Sequence, residues 1–162
     1  MIVSNGHTLK GTAMPTPPAL TALQRNLLDY LTAYLRAANT PPTLHYQEVG
    51  RAADPDFNPR DRHFRRITKA LHKINQHEAY YERPLPGAMV VRASTGQPGS
   101  GFYPSAVEAG REFDPSRAIE FWHEELASLI AYWTAPERLM PEESQLDRIE
   151  SKLDRIIEYL AA

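Results

Sequence analysis

The apolar positions fall into blocks whose spacing changes along the chain, and each change marks an element. From Thr21 the period is helical: Leu23, Leu27, Tyr30, Leu31, Tyr34 and Leu35 recur three and four apart until "NTPP" stops them. A short second helix is predicted from about Thr43 to Ala53, with Tyr46, Val49 and Ala53 on one side. "DPDFNPRD" is a turn that also starts a third helix, since Asn58 can cap, Pro59 suits the first helical position and Asp61 puts negative charge in the first turn. That helix is expected to run to about Gln76. "AYYE" and "GAMVVRAS", rich in aromatic and β-branched residues and bounded by Pro and Gly, then predict two short strands, followed by a glycine-rich tip that returns as a strand into Phe102 and Tyr103. Three helices followed by a hairpin describe a winged helix-turn-helix over residues 20–104, preceded by a breaker-rich leader, residues 1–19.

Two further helices close the chain. "DPSRAIEFWHEELASLIAYW", within residues 112–135, opens with Asp114 as cap and aligns Ile119, Trp122, Leu126, Leu129 and Trp133. Residues 141–162 place Leu146, Ile149, Leu153, Ile156 and Leu160 at alternating steps of three and four, a coiled-coil seam. The fold class is thus mainly α with a small β-hairpin. A seam of this length needs a partner. Self-association, as a homodimer or other oligomer, and docking onto the chain's own Trp122/Trp133 helix both satisfy it.

On a helical wheel the third helix separates into faces. Phe64, Ile67, Leu71 and Ile74 cluster on one side; Arg62, Arg66, Lys69 and Lys73 gather opposite, with Arg65 and Thr68 between. Such a stripe suits a DNA-reading helix, because cations reach phosphates and the arginine fork can pair with guanine edges. An ordinary amphipathic helix with a solvated basic face would carry the same stripe. The order of elements around it favours duplex DNA as partner.

Charge sharpens that picture. The net charge of −2 hides an uneven distribution. Residues 43–92 hold nine basic and six acidic side chains, whereas residues 108–162 hold six and thirteen. The basic excess sits around the third helix and the acid in the tail. There are no cysteines, which excludes disulfides, thiol nucleophiles and thiolate zinc sites and fits a reducing, cytoplasmic setting. No run is long and apolar enough for a membrane helix, and no membrane partner is expected.

Three stretches resemble known families. "LTALQRNLLDYLTAYLRAANTPPT" is similar to the first helix of the winged-helix domain of LexA-type repressors. Residues 45–103, with "HYQEVG", "RRITKAL" and "PGAMVVRASTG" in order, resemble the DNA-binding domain of alkylguanine-DNA alkyltransferases and alkyltransferase-like proteins. That resemblance implies that Tyr46 meets backbone phosphate and that Arg65 inserts into the base stack. It also puts Gly87 at the position of the reactive cysteine, with Ala88 and Met89 replacing the histidine and arginine beside it. A glycine accepts no alkyl group, so the resemblance implies shared fold and DNA contact without alkyl transfer. "VVRASTGQPGSGF" resembles the end of poorly characterised domains attached to bacterial restriction and phage-defence nucleases.

The glycine-rich stretch does not fit a phosphate-cradling loop, which needs a strand, the glycines and then a helix start, often with a lysine. Read as a wing, it places Arg92, Ser94, Thr95 and Gln97 toward phosphate or the minor groove; a plain hairpin loop needs the same glycines. The histidines lack metal-ligand spacing, and the pairs Glu124/Glu125 and Glu142/Glu143 read as solvated charge. No catalytic residue, metal or cofactor is expected. The expected function is non-enzymatic DNA binding, as a transcriptional regulator or as the DNA-recognition subunit of a defence or repair system. The rival is an adaptor that uses the helical unit as scaffold and docks a protein partner through its C-terminal helices.

Overall fold

A computed structural model describes residues 16, 18–60, 63–136 and 142–161, and all their side chains except those of residues 63, 142–148 and 151. Nearly all of the expected leader, together with Asp61 and Arg62, lies outside the described residues. The architecture is mainly helical with one small two-stranded sheet.

Helix α1 spans Ala22–Arg36. The Thr21 hydroxyl accepts the Gln24 N–H, and the Gln24 side chain accepts the Thr21 N–H, so two donors at the helix start satisfy each other reciprocally. Its core face is Leu27, Leu31 and Leu35, while Tyr30 lies toward solvent. Strand β1 is only Leu44–His45, and helix α2, Tyr46–Ala53, follows directly, shorter than expected. Gly50 lets α2 meet the turn beyond it: a Cβ there would lie 2.6 Å from the Phe57 ring. The Asn58 carboxamide accepts the Arg60 N–H at 3.0 Å, which caps the turn entering helix α3, His63–Tyr80.

Helix α3 runs four residues past the expected end and absorbs the first half of "AYYE". The cause is Glu78, fully buried and 3.3 Å from the Arg83 guanidinium, with His77 Nδ1 at 3.0 Å. That anchor holds the last turn helical, and Glu82, at φ 58°, ends it.

The segment Leu85–Val91 threads the centre of the molecule and is almost wholly inaccessible to solvent. It is not the long strand anticipated. Pro86–Met89 form a 3-10 turn, and only Val90–Val91 are extended, as β2. Burying backbone demands partners for its polar groups. Side chains supply them: Leu85 N–H donates to Glu125 at 2.8 Å, Gly87 N–H to Asn75 Oδ1 at 2.8 Å, and Ala88 C=O accepts the Trp122 indole N–H at 2.8 Å. Glu125 is therefore buried, in contrast to the solvated pair expected, and it also holds the Arg111 guanidinium at 3.1 Å.

β2 pairs with β1 in parallel, Leu44 opposite Val90 and His45 opposite Val91. Among the described residues no antiparallel hairpin forms. A parallel pair requires a crossover connection, and α2 and α3 provide it. The anticipated wing is instead a tight turn in which Arg92 N–H donates to Gln97 C=O at 2.8 Å, with Gly96 at φ 66°. The expected return strand is helix α4, Phe102–Glu108.

Asp114 does cap the next helix, accepting the Ser116 N–H at 2.9 Å, but through a 3-10 turn at Pro115–Arg117 that leads into α5, Ala118–Thr134. Trp122, Leu129 and Trp133 face the core, whereas Ile119 is largely exposed. Phe113 and Phe121 stack at 4.2 Å, with Phe102 against Phe121 at 6.2 Å, and so tie α4 to α5. Helix α6 spans Glu142–Ala161. No helix among the described residues is long and apolar enough to cross a membrane.

Candidate nucleic-acid interface

Helix α3 carries three faces. Ile67, Ala70, Leu71 and Ile74 are buried and fix the helix against α1 and the central segment. Arg65, Arg66, Lys69 and Lys73 are all exposed. Arg66 approaches Asp54 only at 4.0 Å, and its side chain keeps 60% of its exposure, so solvent screens the pair. Lys73 Nζ lies 3.5 Å from Gln76 Oε1, a long contact between exposed groups. The cationic row is open to a partner, and the carboxylates of the acidic tail that are described do not pair with it. Arg62 falls outside the described residues.

The third face was not anticipated. Phe64, assigned by the wheel to the core, is 37% exposed and meets the Tyr46 ring at 5.5 Å. Together with Thr68, Leu71, His72 and Asn75 it forms one wall of a cavity of about 620 Å³. Gly99, Gly101, Phe102 and Ser105 form the opposite wall, while Lys69, Lys73 and Arg92 stand among its lining residues. The cavity thus adjoins the cationic row along a single helix. Its volume lies in the range of small-molecule and cofactor sites, and aromatic rings with a few polar groups are the lining such sites use.

Tyr46 links α2 to the glycine-rich stretch. Its hydroxyl oxygen accepts the Gly99 N–H at 3.2 Å, which leaves its own proton for an outside acceptor. Burial raises its pKa above the ordinary tyrosine value, opposed by the Gly99 N–H and the positive charge of Arg92. The hydroxyl is therefore a neutral donor at physiological pH. A Cβ on Gly99 would come within 3.0 Å of this oxygen and 3.4 Å of Arg92 Nε, so glycine permits the close approach.

Arg92 and Ser94 are exposed on the tight turn, as are Thr95 and Gln97; Arg92 borders the cavity. The structure brings Tyr46, Lys69, Lys73 and Arg92 to one mouth, with Arg65 and Arg66 further round α3. At the back, Asn75 bridges two elements: its Oδ1 accepts the Gly87 N–H, and its Nδ2 donates to Ser105 Oγ at 3.0 Å. His72 Nε2 lies 2.7 Å from Glu108, joining α3 to α4.

Of the anticipated seam, Ile149, Leu153, Ile156 and Leu160 are exposed on α6, by 53%, 52%, 54% and 76%. Leu146 lies on that helix, and its side chain is not among those described. Docking of this seam onto the Trp122/Trp133 helix is not what the described residues show: both tryptophans turn into the core instead.

Among the described residues no group of three or more His, Asp or Glu side chains is disposed to hold a metal ion. No protein-family model, curated protein or solved structure matches the chain.

Proposed function

We propose that this protein binds duplex DNA through α3, catalyses no reaction on it, and receives a single base, turned out of the stack, in the cavity beside that helix. The observation that carries the reading is the juxtaposition on one helix of four exposed cations and a half-open, aromatic-edged cavity. Cations satisfy phosphates without regard to sequence, and an unstacked base needs a planar apolar surface to offset the few kcal/mol, on the order of one step of stacking, lost on leaving the duplex. Tyr46 and Phe64 offer that surface at the mouth, and the Tyr46 hydroxyl offers a donor to a nearby phosphate. On this reading Arg65, exposed on the same helix though not among the residues lining the cavity, would fill the gap a departing base leaves.

This reading accords with the resemblance to alkyltransferase-like proteins over residues 45–103, and Gly87 then has a physical meaning. A Cβ on Gly87, which lines the cavity, would lie 2.7 Å from Asn75 Nδ2; on the resemblance, a carboxamide would then take the room of the alkyl acceptor's side chain. The protein on this view is a winged-helix-like recognition unit, with the Arg92–Gln97 turn in the wing's place. It serves as a regulator or as the DNA-recognising part of a defence or repair system.

Fluorescence anisotropy with labelled duplexes tests the proposal. R65A/R66A lowers affinity at least tenfold, and the parent prefers a duplex with one mismatched pair, where a base leaves the stack at less cost. Unchanged affinity in R65A/R66A removes α3 from the interface. Equal affinity for matched and mismatched duplexes removes the base from the cavity.

A further inference from the structure

The apolar seam of α6 is exposed, and the identity of its residues indicates what covers it. With Leu146 as the first heptad position a, the seam reads Leu at a (146, 153, 160) and Ile at d (149, 156). β-Branched residues at a with leucine at d favour two-stranded coils, whereas leucine at a with isoleucine at d favours three or four strands. Of the flanks, Glu150 at e and Lys152 at g carry the charges usual beside a seam, and only the second heptad points the same way as the seam: Ile157 falls at e and Tyr159 at g, and they are 62% and 83% exposed. A two-stranded coil buries mainly a and d and would leave both in water; a bundle of three or four helices brings e and g under cover as well. Asp154, Arg155 and Glu158 occupy b, c and f, the positions that stay outside in every such bundle.

We infer that α6 assembles three or four copies of this chain through a Leu-at-a, Ile-at-d bundle. A seam built of alternating leucine and isoleucine knobs is complementary to its own holes, so the occupant is the same helix from other copies. An isolated helix of this length is marginal in water, and mutual burial of the seam supplies the missing stabilisation. The assembled molecule would present several α3 faces at once, which multiplies affinity for a long duplex without any new contact.

Sedimentation velocity and light scattering on the full chain provide the test. The expected mass is three or four times the 18.3 kDa chain. A parent that remains a monomer or stops at a dimer at high micromolar concentration overturns the inference. I149D/I156D should give a monomer; if it keeps the parent mass, another surface holds the copies together and the inference fails. Exchanging the two residue types (L146I/I149L/L153I/I156L/L160I) conserves the seam's apolar character and should shift the mass to a dimer. An unshifted mass would show that the seam does not set the copy number.

Discussion

A methyl group added at Gly87 would meet the Asn75 carboxamide at 2.7 and 3.0 Å, inside a segment without accessible surface. The same carboxamide accepts the Gly87 N–H and donates to Ser105, so it has little freedom to move aside. Overpacking of this kind should make G87A less stable by about 1–3 kcal/mol. N75A should cost about 1–3 kcal/mol as well, because the buried Gly87 N–H loses its acceptor. The two changes share one contact, so their effects should not add: with the carboxamide gone, the new methyl has room. Urea denaturation of both single variants and of G87A/N75A measures the coupling. A double variant as unstable as the sum of the singles would mean that the clash at Gly87 lies elsewhere. Packing and the cavity meet at this residue, since Gly87 and Asn75 both belong to the cavity's lining.

Among the elements, the join between α2 and the glycine-rich stretch rests on Tyr46. Burial holds its hydroxyl above the ordinary tyrosine value. In the unfolded chain the same hydroxyl titrates at about pH 10, so there the unfolded state releases its proton first. The contribution of Tyr46 to stability is therefore complete below that pH and is lost as pH rises toward its own folded value. Y46F should cost about 1 kcal/mol at neutral pH through the unpaired Gly99 N–H. The gap between parent and Y46F should narrow above pH 10; Tyr30 and Tyr103, also raised by burial, are common to both proteins and cancel. A gap that stays constant to pH 11 would contradict the assignment. The elements differ in how far they could be read from the sequence. The helix start at Thr21, the stripe at Leu27, Leu31 and Leu35, and the cations of α3 are local patterns, and the structure has them. The run through Val91 is different: a short apolar stretch buried on all sides looks alike as strand or turn. Its β partner, Leu44–His45, lies some forty residues away and leaves no local trace. Helix α4 hides behind glycines and Pro104, yet that proline sits in the first turn, where its missing N–H costs nothing. The cavity was illegible for a related reason. Phe64 carries the signature of a core residue, and only the placement of Tyr46 and Phe102 leaves its ring half open.

At the scale of the whole molecule, a net charge of −2 and an isoelectric point near 6.3 mean that bulk electrostatics do not draw the protein to DNA. The proposed attraction to DNA would have to come from a local field, and exposed cations offer a source for one. Arg65, Arg66, Lys69, Lys73 and Arg92 are exposed and grouped on α3 and the adjoining turn, while thirteen of the acidic residues lie beyond position 107. A local field of this size has a measurable signature, because each phosphate neutralised releases condensed counterions. Four or five such contacts predict a slope of about −4 for log affinity against log salt, and K69Q/K73Q should reduce its magnitude by roughly 2. The rival reading, an adaptor that docks a protein partner through its C-terminal helices, follows the opposite law, since burial of apolar surface is insensitive to modest salt and strengthened by sulfate. Anisotropy titrations between 50 and 200 mM salt, on the order used for such slopes, separate the two without knowledge of the preferred DNA sequence. The variant carries the decision. If K69Q/K73Q weakens binding but keeps the parent slope, those lysines act through the shape of the helix, and the phosphates are met by some other surface.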